Sequence, residues 1–166
     1  MPLLVVVPYV QGKLSSATVR TVKLSGWAYT ILRLPDCDPG AYGRLVRNLW
    51  AGTTDVIICE QDVEPSAGQL ADICTCGHDW CGYNYDDGRY PDGPMFGLVR
   101  LSRRLQVRHP MAAEVALVIG KRRDVEAEWW RVDSLMARDL MIRGEHWTAH
   151  PGRVHHAHCG PVSGPM

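Results

Sequence analysis

The apolar positions at the beginning of the chain fall into short continuous runs separated by polar turns. Residues 3–7 are all apolar, which is typical of a strand covered on both faces in a parallel sheet. Ser15 and Ser16 can cap a helix that Gly26 closes, and a second strand follows over residues 29–34. This order of strand, helix and strand predicts a right-handed crossover between two parallel strands.

The spacing of apolar residues changes to that of an amphipathic helix between residues 41 and 50. Residues 55–59 then predict a short buried strand, and Pro65 is placed to begin a third helix that reaches about Ile73. The alternation of strands and helices predicts an α/β fold. In such sheets, ligands bind at the carboxyl ends of the strands.

The second half of the chain continues this alternation less regularly. We predict strands over residues 80–85, 95–101 and 115–119, a turn at 86–88, and the longest helix over 126–143. Together these elements predict one domain over residues 1–159, with a mostly parallel central sheet and flanking helices. Residues 160–166 are rich in Gly, Pro and Ser and are expected to form a flexible tail.

Composition and charge exclude several classes of protein. The 18 basic and 18 acidic residues cancel, which disfavours a protein that coats nucleic acid, because phosphate binding needs an excess of Lys and Arg. No stretch approaches the roughly 20 apolar residues of a membrane span, and the run at residues 3–7 is too short for a signal peptide. We therefore expect a soluble, cytoplasmic protein. The sequence does not indicate its oligomeric state.

Two carboxylates follow the buried strand over residues 55–59. Glu60 and Asp62 flank Gln61, and alternate residues at a strand end project to the same side. Mg²⁺ and Mn²⁺ prefer oxygen ligands and keep substrate phosphate in their coordination shell. The pair therefore indicates a site for a divalent cation. The alternative is a strand that simply ends in solvated acids.

Histidines cluster near the end of the chain, at positions 150, 155, 156 and 158. Imidazole is a common ligand for Mn²⁺ and Zn²⁺. In an extended backbone His156 and His158 would project to the same side, so both are candidate metal ligands. The alternative is a solvent-exposed, histidine-rich tail.

Asp133 lies within the apolar stripe that Trp129, Val132, Met136 and Leu140 form along the longest helix. Carboxylates are seldom buried unless they are paired or used in chemistry. Asp133 is therefore a candidate general base. The alternative is an ion pair with a neighbouring arginine of the same helix.

Four potential zinc ligands lie close together in the sequence: Cys74, Cys76, His78 and Cys81. Thiolates and imidazoles hold zinc in small structural sites, but no second pair of such ligands accompanies them. Small buried thiols are the alternative interpretation. Tryptophans offer broad apolar faces that suit a sugar ring, and we expect one of Trp80, Trp129 and Trp130 to face a ligand.

In their order and spacing these motifs resemble the inverting, family 2-like glycosyltransferases with the GT-A fold, in a reduced single-domain form. The similarity extends over about residues 3–158. It comprises the first strand with Pro8, the helical pair Arg47 and Asn48, the acidic stretch 60–62, the helix with Asp133, Gly144, and the ending with His156. The family's Asp-x-Asp motif is replaced by Glu-Gln-Asp in this chain.

The resemblance implies transfer of a sugar from a UDP- or GDP-linked donor to an acceptor hydroxyl, with inversion. It implies that Pro8 and Tyr9 border the nucleobase, that Asp36 accepts a base N–H, and that Asp133 deprotonates the acceptor. Glu60, Asp62 and His156 or His158 would hold Mn²⁺ or Mg²⁺. Further candidates for donor binding are Arg47, Asn48, Gln61 and Trp129. Nucleic acid is expected as a partner only if it is the acceptor.

Two functions of other classes remain as alternatives. A metal-dependent phosphodiesterase or nuclease uses the same carboxylates and histidines around a cation, although the neutral net charge disfavours it. A noncatalytic, zinc-stabilised binding module would be built around residues 74–81.

Overall fold

The computed structural model describes residues 2–36, 38, 40–86, 92–114 and 129–157, with the backbone alone for 129–131. The elements follow one another as β1 (Leu3–Tyr9), α1 (Ser16–Leu24), β2 (Tyr29–Arg33), α2 (Ala41–Trp50), β3 (Asp55–Cys59), β4 (Val63–Glu64), α3 (Ala67–Thr75), β5 (Trp80–Tyr85), β6 (Leu98–Leu101), α4 (Arg103–Arg108), α5 (Trp129–Ile142) and β7 (Thr148–His156).

The first crossover forms as the sequence predicts. β1 pairs in parallel with β2 on one side and with β3 on the other. Ser15 caps α1, since its hydroxyl accepts hydrogen bonds from the backbone N–H groups of Ala17 and Thr18. Gly26 follows the helix with a φ of 75°, a left-handed conformation that glycine adopts without steric cost.

The seven strands form one mixed sheet in the order β2-β1-β3-β6-β5-β7-β4. The predicted α/β class is confirmed, but the sheet is less parallel than expected, because β6 is antiparallel to β3 and β5, and β4 is antiparallel to β7. Antiparallel neighbours need no crossover helix, so β6 lies beside β5, which it follows in the chain. The remaining strands, β1, β2, β3, β5 and β7, all point in one direction.

Several boundaries differ from the sequence prediction. α3 begins at Ala67 and not at Pro65, because Ser66 and Gln69 form a reciprocal capping box. β6 begins at Leu98 and not at residue 95. β4 and α4 were not predicted; β4 is two residues long and α4 is six. The predicted strand over 115–119 and most of the turn at 86–88 lie outside the described residues, as does the predicted tail.

Apolar side chains cover both faces of the sheet. Alternate residues of β1 and β3 point to opposite faces, with Val6 and Ile58 packed beneath α2 and α5 and with Val5 and Ile57 packed beneath α1 and α3. Trp80 is only 1% exposed and packs edge-on against Trp147, with ring centroids 5.6 Å apart. Trp80 is therefore not the tryptophan expected to face a ligand, and the side chains of Trp129 and Trp130 lie outside the described residues. In the described part of the chain, the helices are all too short or too polar to cross a membrane.

Candidate functional site

The carboxyl ends of five strands meet at one edge of the sheet, and Glu60 lies at this edge directly after the fully buried β3. Its backbone N–H donates to the carbonyl of Gly97 at 2.8 Å. Its carboxylate accepts hydrogen bonds from two tyrosine hydroxyls, that of Tyr42 at 3.1 Å and that of Tyr85 at 3.4 Å. Burial, together with the charge of Glu60, raises the pKa of both phenols. The tyrosines therefore remain neutral donors that fix the orientation of Glu60.

Gly97 allows Tyr85 to reach this position. A Cβ atom at residue 97 would lie 2.0 Å from the hydroxyl oxygen of Tyr85 and 2.4 Å from its ring. These distances are far below van der Waals contact. Any larger residue at position 97 would thus displace Tyr85 from Glu60.

Asp62 and His156 meet at the same edge. The Oδ2 atom of Asp62 lies 3.5 Å from Nε2 of His156, and the Asp62 carbonyl accepts the N–H of Ala157 at 2.7 Å. The pairing of β4 with β7 places Val63 opposite His156. The His156 ring also stacks on Tyr85, with centroids 4.6 Å apart. The structure therefore brings together two of the four predicted metal ligands, whereas His158 lies outside the described residues.

The Asp62–His156 pair fits a divalent cation. Two ligands of one Mn²⁺ or Mg²⁺ ion at about 2.1 Å lie about 3 Å apart, close to the 3.5 Å separation of these two atoms. Mg²⁺ commonly takes only one or two protein ligands and completes its shell with phosphate and water. Among the described residues, three donor atoms come within 4.8 Å of one another in a different place. Glu60 is thus not brought into a three-ligand set with Asp62 and His156.

Asp133, at the start of α5, is 3% exposed. Its Oδ2 accepts the N–H of Phe96 at 3.4 Å, and its Oδ1 accepts the N–H of Ser134 at 2.6 Å and the Ser134 hydroxyl at 3.3 Å. Burial, and then the charge of Glu60, raises the pKa of Asp133 to about 8. Asp133 can therefore exchange a proton near neutral pH, as a general base must.

One hydroxyl lies within electrostatic range of all three carboxylates. The charges of Glu60, Asp133 and Asp62 each contribute to the raised pKa of Tyr85. Tyr85 also contacts both Glu60 and His156, so it links the acidic residues to the histidine. An open groove of about 460 Å³ lies nearby, lined by residues 92–95 and by Ser134, Ala137 and Met141 of α5. It gives access to the helix that carries Asp133.

The residues predicted to bind the nucleotide lie at the ends of β1 and β2. Pro8 and Tyr9 are the last two residues of β1; Pro8 is buried and Tyr9 is partly exposed. The exposed Asp36 accepts the N–H of Gln11 at 2.9 Å, which lowers the pKa of this carboxyl. Gln61 joins these loops to the acidic stretch, because its Oε1 accepts the N–H of Val10 at 2.7 Å. The Gln61 side chain therefore orders the loop after β1.

Two predicted residues, Arg47 and Asn48, lie away from the others. Arg47 pairs with Glu114 at 3.6 Å, and Asn48 is exposed. Both lie near the carboxyl end of α2, about 7–9 Å along the helix axis from Tyr42, which is the residue that contacts Glu60. The side chain of Trp129 lies outside the described residues.

The sequence analysis missed Tyr42 and Tyr85. Both residues have the pattern of ordinary core aromatics, and they are 18 and 25 positions from Glu60 in the sequence. Only the crossover that sets α2 and β5 beside β3 brings them to Glu60. A sequence signal for this contact exists only in Gly97, whose position in an apolar run is consistent with a close approach.

Comparison with known proteins identifies the fold and no family. No protein-family model and no curated protein matches the chain. A solved structure, the "glycosyltransferase involved in the glycosylation of the major capsid of PBCV-1", aligns with a TM-score of 0.54 and 10% sequence identity, covering 90% of this chain and 82% of that chain. "A197 from STIV" aligns with a TM-score of 0.39 and 11% identity over 65% of this chain and 68% of that chain. This TM-score is too low to show a common fold. The chain therefore has a glycosyltransferase-like α/β fold.

Proposed function

We propose that the protein is a metal-dependent glycosyltransferase that moves a sugar from a UDP- or GDP-linked donor to an acceptor hydroxyl, with inversion. The supporting observation is that Asp62 lies 3.5 Å from His156, whose ring stacks on Tyr85, at the sheet edge where α/β proteins bind ligands. The buried Asp133 lies within electrostatic range of Tyr85. The glycosyltransferase-like fold adds support.

In this proposal Asp62 and His156 would hold Mn²⁺ or Mg²⁺ at the site of the donor diphosphate. The cation would neutralise the charge that develops on the departing nucleoside diphosphate. The hydrogen bond between the Asp62 carbonyl and the Ala157 N–H fixes the loop after β3 to the end of β7. The stacking of Tyr85 on His156 limits the rotation of the imidazole, so both ligands are held in place before the donor binds.

Glu60 acts on the other groups of the site through its charge. The two tyrosine hydroxyls orient its carboxylate, and the negative charge of Glu60 helps to raise the pKa of Asp133. We infer that Glu60 makes Asp133 a stronger base than an ordinary aspartate. A direct role of Glu60 as a metal ligand is not required for this function.

Asp133 takes the proton from the acceptor hydroxyl as the hydroxyl oxygen attacks the anomeric carbon. The bond from that carbon to the diphosphate oxygen breaks in the same displacement, so the configuration inverts. The groove beside Ser134 and Ala137 is the proposed path of the acceptor. The nucleobase is proposed to lie between Tyr9 and Asp36, at the ends of β1 and β2.

The first test is calorimetric titration of UDP and GDP in the presence and absence of Mn²⁺. We expect one of the two nucleotides to bind with Mn²⁺ and to lose affinity by at least about tenfold without it, the range seen when metal sites are disturbed. Asp62→Asn and His156→Asn should show the same loss in the presence of Mn²⁺. Asp139→Asn is a matched control, since Asp139 pairs with Arg143 at 2.7 Å on α5.

Equal nucleotide affinity with and without Mn²⁺ would contradict the metal role of Asp62 and His156. The absence of binding by either nucleotide, in a protein that is folded, would contradict the proposed donor class.

A further inference from the structure

A second cluster of metal-binding side chains lies toward the opposite end of β5 from Tyr85. It consists of Cys76, directly after α3, Cys81, near the start of β5, and His150, near the start of β7. Their three donor atoms lie within 4.8 Å of one another, and the two sulfur atoms are 2.7 Å apart. In the sequence, His150 is 74 positions from Cys76 and 69 positions from Cys81. Only the parallel pairing of β5 with β7 brings the histidine to the cysteines.

The imidazole of His150 is oriented but lacks a partner for one nitrogen. Its ring stacks on Tyr83, with centroids 5.0 Å apart and an angle of 17° between the planes. Its Nε2 atom is buried and makes no hydrogen bond with any residue that the structure describes. A buried polar atom without a partner is energetically unfavourable. The position of Nε2 beside two sulfur atoms therefore indicates a ligand between them.

The type of donor selects the ligand. Two thiolates and one imidazole are a common ligand set for Zn²⁺, whereas Mg²⁺ and Mn²⁺ prefer oxygen. Zn–S bonds of about 2.3 Å and Zn–N bonds of about 2.0 Å place tetrahedral ligand atoms about 3.5–3.8 Å apart. The sulfur atoms would separate by about 1 Å on binding such an ion. The backbone N–H of His78 also donates to the Cys76 sulfur at 3.4 Å, a contact that orients a thiolate ligand.

We propose that Cys76, Cys81 and His150 bind one zinc ion, with water in the fourth tetrahedral position, at a site that is distinct from the Asp62–His156 pair. The ion connects the end of α3 to β5 and β7. Because β7 carries His150 near its start and His156 at its end, zinc also fixes the strand that supplies the proposed catalytic cation ligand. Cys74, which the sequence analysis grouped with the other cysteines, is not a member of this set.

The test is metal analysis of the protein purified under reducing conditions, combined with replacement of zinc by Co²⁺. We expect one equivalent of zinc per chain in the wild type, and thiolate-to-cobalt charge-transfer absorption after the exchange. Cys76→Ser and His150→Gln should lose both signals. Cys76 and His150 are both partly exposed, so these two variants are expected to fold. Cys74→Ser is the matched control and should keep both signals, as should Asp62→Asn.

Three results would overturn the zinc site. The first is a folded wild-type protein that retains no zinc and gives no charge-transfer absorption with Co²⁺. The second, in protein purified without reductant, is a metal-free chain that is lighter by two hydrogens in the wild type but not in Cys76→Ser, which would show a disulfide between Cys76 and Cys81. Retention of zinc by His150→Gln would remove His150 from the ligand set and contradict the proposal as stated.

Discussion

Asp133 is held in a surrounding that disfavours its ionised form. It is nearly inaccessible to solvent, and Glu60 adds a second negative charge nearby. Three hydrogen bonds from Phe96 and Ser134 oppose these effects only in part. A carboxyl group whose pKa is raised in this way, by desolvation and a nearby like charge, is characteristic of functional sites.

We predict that Asp133→Asn removes catalysis and leaves binding intact. The amide keeps the size of the side chain but cannot accept a proton at neutral pH, so turnover should fall by about 10²–10⁴-fold. Nucleotide affinity should hardly change, because the proposed cation ligands are untouched. Hydrolysis of the donor, measured with the melting temperature and the nucleotide affinity, tests this without knowledge of the acceptor. Asp139→Asn, the same change on the same helix, is the control.

The proposed role of Asp133 also predicts how stability and turnover depend on pH. A pKa of about 8 in the folded protein, against 3.8 for an ordinary Asp, means that the folded state binds this proton more tightly than the unfolded state does. The contribution of Asp133 to stability is therefore largest at low pH and declines as the pH rises from about 4 to about 8. Turnover should increase over the upper part of this range, since the base must be ionised. Asp133→Asn should abolish both trends, and a wild-type pH profile in this variant would contradict the assigned role.

Individual site residues were predictable to different degrees. The burial of Asp133 follows from its place in an apolar helical stripe, and the proximity of Asp62 to the chain's end follows from the motif order that the resemblance supplies. Tyr42 and Tyr85 could not be predicted, because a buried tyrosine in a helix or strand has the same local pattern whether or not its hydroxyl contacts Glu60. His150 was noticed only as one of several histidines, since its partners Cys76 and Cys81 are distant in the sequence.

At the scale of elements, β7 has the largest effect on the site. This strand pairs with β5 on one side and with β4 on the other. Its own sequence includes Pro151 and Gly152, and the glycine has a φ of 86°, so a regular strand is not apparent from local propensity. Its buried Val154 and the pairing with β5 override that propensity. In contrast, β1, α1 and β3 were predicted from their local sequence. The two strands are continuous apolar runs, and the helix has a clear capping residue.

We predict that removal of residues 158–166 leaves Mn²⁺-dependent nucleotide binding unchanged, whereas His156→Asn in the full chain weakens it. His156 has the position of a ligand, 3.5 Å from Asp62, and it lies within β7, which the truncation leaves whole. Titration of nucleotide into both proteins, with circular dichroism as a check of folding, distinguishes the two histidines. Loss of binding in the folded truncated chain would assign the ligand role to His158.

At the scale of the whole molecule, a charged pair connects β3 to the antiparallel strand β6 and stabilises the sheet. The Asp55 carboxylate at the start of β3 binds Nη2 of Arg100 on β6 at 2.6 Å, and it also accepts the N–H of Arg103 at 2.7 Å. The two side chains are 7% and 14% exposed. This pair lies at the edge opposite the site, between the two halves of the mixed sheet, so it supports the geometry of β3 without taking part in chemistry.

We predict that Asp55→Ala lowers the free energy of unfolding by about 3–5 kcal/mol, because it leaves the Arg100 charge buried without its partner. Asp92→Ala is the matched control. Its pair with Arg153 has a similar distance of 2.9 Å, but the side chains are 58% and 46% exposed, so solvent screening should limit the loss to about 0–1 kcal/mol. Urea unfolding of both variants measures the difference. Adding Arg100→Met to Asp55→Ala should restore part of the stability, since an apolar side chain removes the uncompensated charge. Equal losses in the two single variants would show that the Asp55–Arg100 pair does not anchor the sheet.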